Sequence, residues 1–203
     1  MQLSLSSVDT RIKASSVIYS SAFVEQSEWG QIKLSALKKA EDKKLWIDYI
    51  DPHNYLQNIT HPIFFTAGTD DIAFKMENRR KTAESISAPT YFGLRKSFPH
   101  GNFIGFEQAE TAHFFMNCVK EKIIPQPKVN IIENKIKITA GEKTSCLRLC
   151  YTKDNVKITD KQVWEEISVC DGDLLPIPMG TTAFFIVEIT TDGLQFSSNM
   201  MRI

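Results

Sequence analysis

The stretch Pro62-Ile63-Phe64-Phe65-Thr66-Ala67-Gly68-Thr69-Asp70-Asp71 is an unalternating apolar run that ends in a glycine turn and two carboxylates. Continuous apolar runs of this kind are typical of strands that are covered on both faces of a sheet. A second run, from Tyr91 to Phe98, ends in Pro99-His100-Gly101. The two predicted strands therefore deliver a carboxylate and an imidazole to their ends. Side chains of these types can form the acid and base of a nucleophilic triad.

Further strand and helix patterns are found before, between and after these two runs. A short β-branched run over residues 15–20 predicts an earlier strand. Apolar residues recur at helical spacing over 29–37, 43–49, 73–87 and 103–122. The alternation of strands and helices predicts a parallel, right-handed α/β unit with about three strands.

The pattern changes at Ile124-Pro125-Gln126-Pro127-Lys128, where two prolines end the last predicted helix. The β-rich ranges that follow are 129–139, 145–152, 162–169, 183–191 and 194–203. We therefore predict an α/β part over residues 1–124, a linker over 125–128 and a small all-β, immunoglobulin-like sandwich over 129–203. Trp164 is expected to anchor the core of the sandwich rather than to stack on a sugar.

Composition and charge exclude several classes of protein. The 203 residues are 42% hydrophobic and 24% charged, which is ordinary for a globular protein. Lysine plus arginine and aspartate plus glutamate both number 24, so no net field favours nucleic acid or an anionic membrane as a partner. The longest apolar runs fall far short of the roughly 20 residues that a membrane helix needs. The first residues do not form a secretory signal, so we expect a soluble chain and leave its compartment open.

Metal and disulfide sites are not indicated by the spacing of their usual ligands. His53, His61 and His113 show no metal-ligand spacing and are expected to be surface or structural residues. The cysteines show no Cys-x-x-Cys pair and are expected to be buried free thiols; they are Cys118, Cys146, Cys150 and Cys170. We therefore predict no metal ion and no cofactor.

The order of strand, Gly-x-x-Asp, helix, strand and His-Gly resembles the way in which α/β-hydrolases present their acid and base. Gly68-Thr69-Asp70-Asp71 resembles the acid turn of that superfamily, and Phe98-Pro99-His100-Gly101 resembles its histidine loop. The separation, 100 − 71 = 29 residues, accommodates one helix and one strand. Residues 9–14 and Glu110 add a resemblance to the acetylxylan-esterase-like and dienelactone-hydrolase-like branches. The region after the linker resembles a β-sandwich that is appended to some members.

The resemblance implies a role for each of the two titratable residues. Asp71 would be the triad acid and His100 the general base. Asp71 is preferred over Asp70 because the acid of the family occupies the fourth position of Gly-x-x-Asp, whereas Asp70 is expected to cap the next helix. The implied activity is hydrolysis of a carboxylic ester, with a small ester or an acetylated carbohydrate as substrate.

The nucleophile of such an enzyme has no counterpart in the chain. No Gly-x-Ser-x-Gly turn occurs in the 203 residues, and Ser4, Ser6 and Ser7 lack the flanking glycines that a nucleophile turn requires. The resemblance implies that the serine would precede Met1 in a complete enzyme, so we expect the isolated chain to be inactive.

Two hypotheses about function follow from these observations. The first is the C-terminal part of a serine hydrolase, and the second is a non-catalytic binding or assembly module derived from one. Absence of the early strands would expose a sheet edge, which predicts self-association or pairing with the missing N-terminal half.

Overall fold

The computed structural model describes residues 2–141, 144–155 and 162–203. The helices are α1 (Gln2–Val8), α2 (Glu28–Ala36), α3 (Ala40–Tyr49), α4 (Met76–Glu84), α5 (Asn102–Phe106) and α6 (Ala109–Val119), with short 3₁₀ turns at Val24–Gln26, Pro52–Asn54 and Leu56–Asn58. The strands are β1 (Ser15–Ile18), β2 (Ile63–Asp70), β3 (Thr90–Pro99), β4 (Lys128–Ile132), β5 (Lys135–Thr139), β6 (Thr144–Thr152), β7 (Trp164–Val169), β8 (Leu174–Pro176), β9 (Ala183–Thr190), β10 (Gln195–Ser197) and β11 (Met201–Arg202).

The three predicted parallel strands form one end of a mixed sheet. Its order is β1-β2-β3-β10-β9-β6-β7, and β11 also pairs with β9. Strands β1, β2 and β3 are parallel, with Ser15 opposite Ile63 and Ile63 opposite Thr90. The first six residues of β2 are all buried, because strands flank it and side chains cover both of its faces. The chain is therefore a mixed α/β protein built around β2.

The sheet does not stop at the predicted linker. Strand β10 pairs antiparallel with β3, with Ser197 opposite Phe92. Because β10 has three residues, side chains complete the pairing: the Leu94 N–H donates to Ser197 Oγ at 2.9 Å, and the Phe92 N–H donates to Gln126 Oε1 at 3.1 Å. A separate β-sandwich is therefore not confirmed, since most strands of the second part extend the sheet of the first. The division at residues 125–128 stays a prediction.

Two apolar clusters cover the antiparallel half of the large sheet. On one face, Ile136 and Ile138 of a small sheet with the order β4-β5-β8 pack among Leu149 and Phe184. The other cluster joins the two parts of the chain, since it contains Phe65 of β2 and Trp164 of β7. Trp164 is buried, and its ring lies 5.3 Å from that of Phe185. Burial of both faces stabilises a sheet that spans the whole chain.

Helix α6 packs against the sheet where the parallel strand β3 meets the antiparallel strand β10. Its Phe114 packs with Phe64 and Phe196 in a third apolar cluster. The buried carboxylate of Glu110 lies 2.8 Å from Arg95 Nη2 and accepts the backbone N–H of Gln195 at 2.6 Å. One carboxylate therefore connects α6 with both β3 and β10.

Strand β1 lies at an edge of the sheet. The Ser15 N–H donates to Pro62 O, and the Tyr19 N–H donates to Thr66 O, both at 3.1 Å. Because backbone groups alternate along a strand, those of Ser16 and Ile18 face away from β2. No strand within the described ranges pairs with this side of β1.

Several boundaries differ from those predicted. The range 103–122 contains two helices, and 129–139 is a hairpin that turns at Glu133, a residue with a φ of 54°. The range 194–203 contains two short strands, and β8 was not predicted. All four cysteines are free, but Cys170 is exposed, because it begins the turn between β7 and β8. The prediction of burial is confirmed only for Cys150, because Cys118 and Cys146 are partly buried, and it is wrong for Cys170.

Among the residues that the structure describes, no helix is long and apolar enough to cross a membrane.

Candidate active site

The carboxylate of Asp71 is held by the turn that follows β2. Its Oδ1 accepts the backbone N–H groups of Ala73 and Phe74, both at 3.0 Å. An aspartate that bonds the backbone two residues ahead forms a compact Asx turn. The prediction that Asp70 caps the next helix is wrong: its side chain is exposed and accepts the Thr69 hydroxyl, while Lys75 stands at the start of α4. The turn role belongs to Asp71.

A change of register between β2 and β3 brings His100 beside this turn. Gly68 pairs with Arg95 and Asp70 pairs with Pro99, so β2 advances by two residues while β3 advances by four. The extra length of β3 is taken up at Ser97, whose φ is 54°. Gly68 is required at the shift because a Cβ there would lie 1.9 Å from the carbonyl oxygen of Phe98.

His100 and Asp71 form a direct hydrogen bond. Nδ1 of His100 lies 3.0 Å from Oδ1 of Asp71. The Asp71 side chain is fully buried, whereas 34% of the His100 side chain is exposed. With Nδ1 bound to the carboxylate, Nε2 is the ring nitrogen that remains for proton transfer. The pair can orient an imidazole and stabilise its protonated form.

Arg79 of α4 balances the buried carboxylate. Its Nη2 lies 3.4 Å from Asp71 Oδ2 and donates to the carbonyl oxygen of Phe74 at 3.2 Å. Burial lowers the pKa of Arg79 to about 10, and the nearby Asp71 opposes that shift. The guanidinium therefore stays charged at neutral pH. Sequence reasoning missed Arg79 because it lies in a charge-rich helix, in which such residues normally face solvent.

Aromatic rings enclose the imidazole. The ring centroid of Tyr19 lies 4.7 Å from that of His100, and Phe74 lies 6.0 Å from it in a stacked arrangement. Burial, and then the charge of Asp71, raise the pKa of the Tyr19 hydroxyl. Gly105 of α5 permits this packing, because a Cβ there would lie 2.3 Å from the Tyr19 ring. Tyr19 and Phe74 gave no sequence signal beyond their apolar character.

The other histidines lie apart from this pair. His61 bonds through Nε2 to Ser15 Oγ at 3.0 Å, and burial lowers its pKa. Nδ1 of His53 lies 3.3 Å from Asp51 Oδ1, and Nε2 of His113 lies 2.8 Å from the side-chain nitrogen of an asparagine on α6.

The three N-terminal serines lie on α1. Ser6 bonds to Ser15 at 3.1 Å, and Ser7 donates to the carbonyl oxygen of Ser4 at 2.8 Å. None of the three is hydrogen-bonded to His100 within the described ranges. The described part of the chain also contains no group of three histidine, cysteine or acidic residues that could hold a metal ion.

The fold and geometry together define a strand-end Asp–His site on a mixed α/β sheet. No family model matches the chain, and no curated protein matches it.

Two esterases are among the solved structures that resemble part of the chain. Acetyl xylan esterase 1 from a Thermoanaerobacterium species is 14% identical with a TM-score of 0.42, and the match covers 56% of this chain and 40% of that one. An esterase from Pyrococcus furiosus is 16% identical with a TM-score of 0.39, and that match covers 59% of this chain and 48% of that one. The chain thus spans less than half the length of either esterase. At these values the likeness carries no argument about activity.

Proposed function

We propose that Asp71 and His100 are the acid and base of a serine-type hydrolase that acts on carboxylic esters. The observation that carries the proposal is the 3.0 Å bond between His100 Nδ1 and a buried carboxylate that two backbone N–H groups hold in place. A carboxylate in this position selects the imidazole tautomer that leaves Nε2 free to accept a proton. About a third of the His100 side chain is exposed, so a reacting group can approach the ring.

The proposed mechanism follows from these roles. His100 Nε2 takes the proton of a serine hydroxyl as the serine attacks the ester carbonyl, and Asp71 stabilises the imidazolium that forms. The imidazolium then gives its proton to the leaving alcohol. In the second half of the reaction, His100 activates the water molecule that hydrolyses the acyl-enzyme. Small esters and acetylated carbohydrates are the proposed substrate class.

The proposal requires a nucleophile from outside the described residues. General base catalysis contributes only about 10²- to 10⁴-fold, so His100 without a positioned serine and oxyanion donors would give little turnover. We therefore expect the isolated chain to be inactive.

The open edge of β1 is the proposed place for a polypeptide that carries the serine. Strand β1 leads directly to Tyr19, whose ring contacts His100. A strand added parallel to β1 would end on the same side of the sheet, where catalytic groups of open α/β sheets gather. Phe103 and Phe106 of the neighbouring helix α5 are 84% and 71% exposed, and they offer an apolar surface for the same partner. A non-catalytic module is not favoured, because it has no need of an oriented Asp–His pair.

The test is to express the chain joined to the polypeptide that is encoded directly upstream of it, and to measure hydrolysis of 4-nitrophenyl acetate. We expect that polypeptide to carry a nucleophile turn of the Gly-x-Ser-x-Gly type. His100→Ala should lower kcat/KM by about 10²- to 10⁴-fold.

His53→Ala is the matched control for this test. His53 also has its Nδ1 near an aspartate, and 25% of its side chain is exposed, but it is not bound to Asp71. The kcat/KM of the His53→Ala variant should equal that of the unsubstituted protein. Equal rates for the unsubstituted protein and His100→Ala, or an upstream sequence that encodes no such turn, would contradict the proposal.

A further inference from the structure

A cavity of about 450 Å³ lies beside the Asp–His site. It is bounded by α1, by the segment after β1, by α2 and α3, and by the turn after Asp71. Its apolar walls include Leu3, Val24, Trp46, Tyr49, Ile50 and Phe74. Volumes of about 300–1,000 Å³ with mostly apolar walls are typical of sites for small organic ligands.

The cavity shares a wall with the candidate active site. Phe74 lines the cavity and also stacks on the ring of His100, with 6.0 Å between the ring centroids. Ser20 and Ser21, which also line it, directly follow Tyr19, the other ring that contacts His100. A molecule that occupied the cavity would therefore lie one aromatic ring away from the imidazole.

Two polar groups of the lining indicate what such a molecule carries. Ser21 is 2% exposed, and its Oγ is buried without a hydrogen-bond partner among the described residues. A buried hydroxyl without a partner costs free energy, which a bound acceptor or donor would recover. Lys33 is the one charged side chain of the lining, and no described carboxylate lies there to oppose it. The lining therefore complements a negative charge.

We propose that the cavity binds the apolar part of the ester substrate, and that the end of the substrate remote from the ester carries an anionic group that pairs with Lys33. This inference rests on the proposed function and narrows its substrate class to anionic esters with a medium-length chain, such as hemiesters of dicarboxylic acids. An acetyl group has three non-hydrogen atoms, which at about 30 Å³ each would leave most of the cavity empty. Aliphatic and aromatic walls also match a hydrocarbon chain better than a sugar.

Binding of matched esters to the complete chain tests the inference without catalysis. Monomethyl suberate and methyl octanoate have the same six-methylene chain and differ in the terminal carboxylate. Titration by calorimetry or ligand-observed NMR should show the hemiester binding more tightly than methyl octanoate, and methyl acetate showing no saturable binding. Lys33→Gln should weaken the hemiester by about two- to fivefold and leave methyl octanoate unchanged.

Two further variants separate the cavity from the rest of the surface. Ile50 is 56% exposed, so Ile50→Asp can place a carboxylate at the cavity without emptying the core, and it should weaken both longer esters by about tenfold or more. Lys137→Gln removes an exposed lysine of β5 and should change nothing. Hemiester binding that is insensitive to Lys33→Gln, or long-ester binding that survives Ile50→Asp, would overturn the inference.

The His100→Ala variant distinguishes the failure of this inference from failure of the proposed function. It should bind the hemiester as the unsubstituted chain does, because His100 does not line the cavity. If the hemiester binds but hydrolysis does not depend on His100, the cavity inference stands and the proposed hydrolase function is contradicted. If hydrolysis depends on His100 but the hemiester does not bind, the proposed function stands and the cavity inference is contradicted.

Discussion

At each end of strand β2, one histidine is hydrogen-bonded to another residue. The two pairs differ in the partner residue and in their exposure to solvent. At the carboxyl end, His100 bonds to the buried carboxylate of Asp71, and a third of its side chain is exposed. At the amino end, His61 bonds to Ser15, and both residues are buried at 6% and 2% exposure. One end therefore holds an oriented imidazole that is partly open to solvent, and the other holds a serine that is buried.

The comparison teaches that a Ser–His contact alone does not make a catalytic dyad. A nucleophilic serine needs a histidine that a carboxylate orients, together with space for the substrate. Among the described residues, no carboxylate bonds to His61. Its partner is Ser15, which accepts a hydrogen bond from Ser6, and burial lowers the pKa of the imidazole. The eight residues of β2 span about 26 Å, so Ser15 cannot serve His100. We assign a packing role to the amino-end pair.

The largest effect on stability should come from breaking the carboxyl-end pair. Asp71→Ala would leave the guanidinium of Arg79 buried without its carboxylate, and losing one partner of a buried ion pair costs about 3–5 kcal/mol. Urea denaturation of the purified chain measures this loss in the free energy of unfolding. The double variant Asp71→Ala/Arg79→Met should recover part of it, because it removes the stranded charge. A double variant no more stable than Asp71→Ala would refute this account of Arg79.

An intermediate effect is expected at the amino end. Ser15→Ala would leave buried His61 Nε2 and Ser6 Oγ without their shared partner, at a cost of about 1–3 kcal/mol in the free energy of unfolding. Ser35→Ala, at an exposed position of α2, is the control and should stay within about 0.5 kcal/mol of the unsubstituted chain. Hydrolysis by the joined polypeptide should be unchanged by Ser15→Ala. Loss of that hydrolysis in a folded variant would contradict the packing role that we assign to the amino-end pair.

The smallest effect should be a dependence of stability on pH that comes from His61. The pKa of His61 is lower in the folded chain than in the unfolded chain. At pH values between these two pKa values, the unfolded chain therefore binds more protons than the folded chain. The free energy of unfolding should therefore fall on acidification below about pH 6.5, the ordinary histidine pKa. Denaturation at pH 7.5 and 5.5 measures the change. His61→Gln should show a flatter dependence, and an unchanged slope would assign the effect to other groups.

The elements that position the site could be predicted from local patterns. The apolar runs that became β2 and β3, and the groups that follow them, were visible because strand ends are marked by turn residues and by loss of hydrophobicity. The helical spacing of the segment that forms α4 could also be predicted, because periodicity is a local property of the sequence. The catalytic roles of Asp71 and His100 remain predictions, although the structure places the two side chains in contact.

Long-range pairing was not predictable in the same way. The two extra residues of β3 are accommodated by the left-handed backbone conformation of Ser97. Neither Ser97 nor its neighbours are of a residue type that predicts this conformation. Strand β10 joins β3 to β9 through three residues, so the predicted separate sandwich has its sheet continuous with the first part. Pairing between segments about 100 residues apart depends on how the whole chain packs, which local periodicity does not contain.

The sequence by itself determined which strand ends carry a carboxylate and an imidazole, because strand limits and turn residues are local properties. Only the tertiary structure decided that these groups meet at 3.0 Å, that Arg79 balances their charge, and that a cavity lies beside them. It also decided that Ser15, the serine bonded to a histidine, lies at the other end of β2 and is buried. The physical reason is that register, burial and side-chain contact are set by the packing of segments distant in the chain.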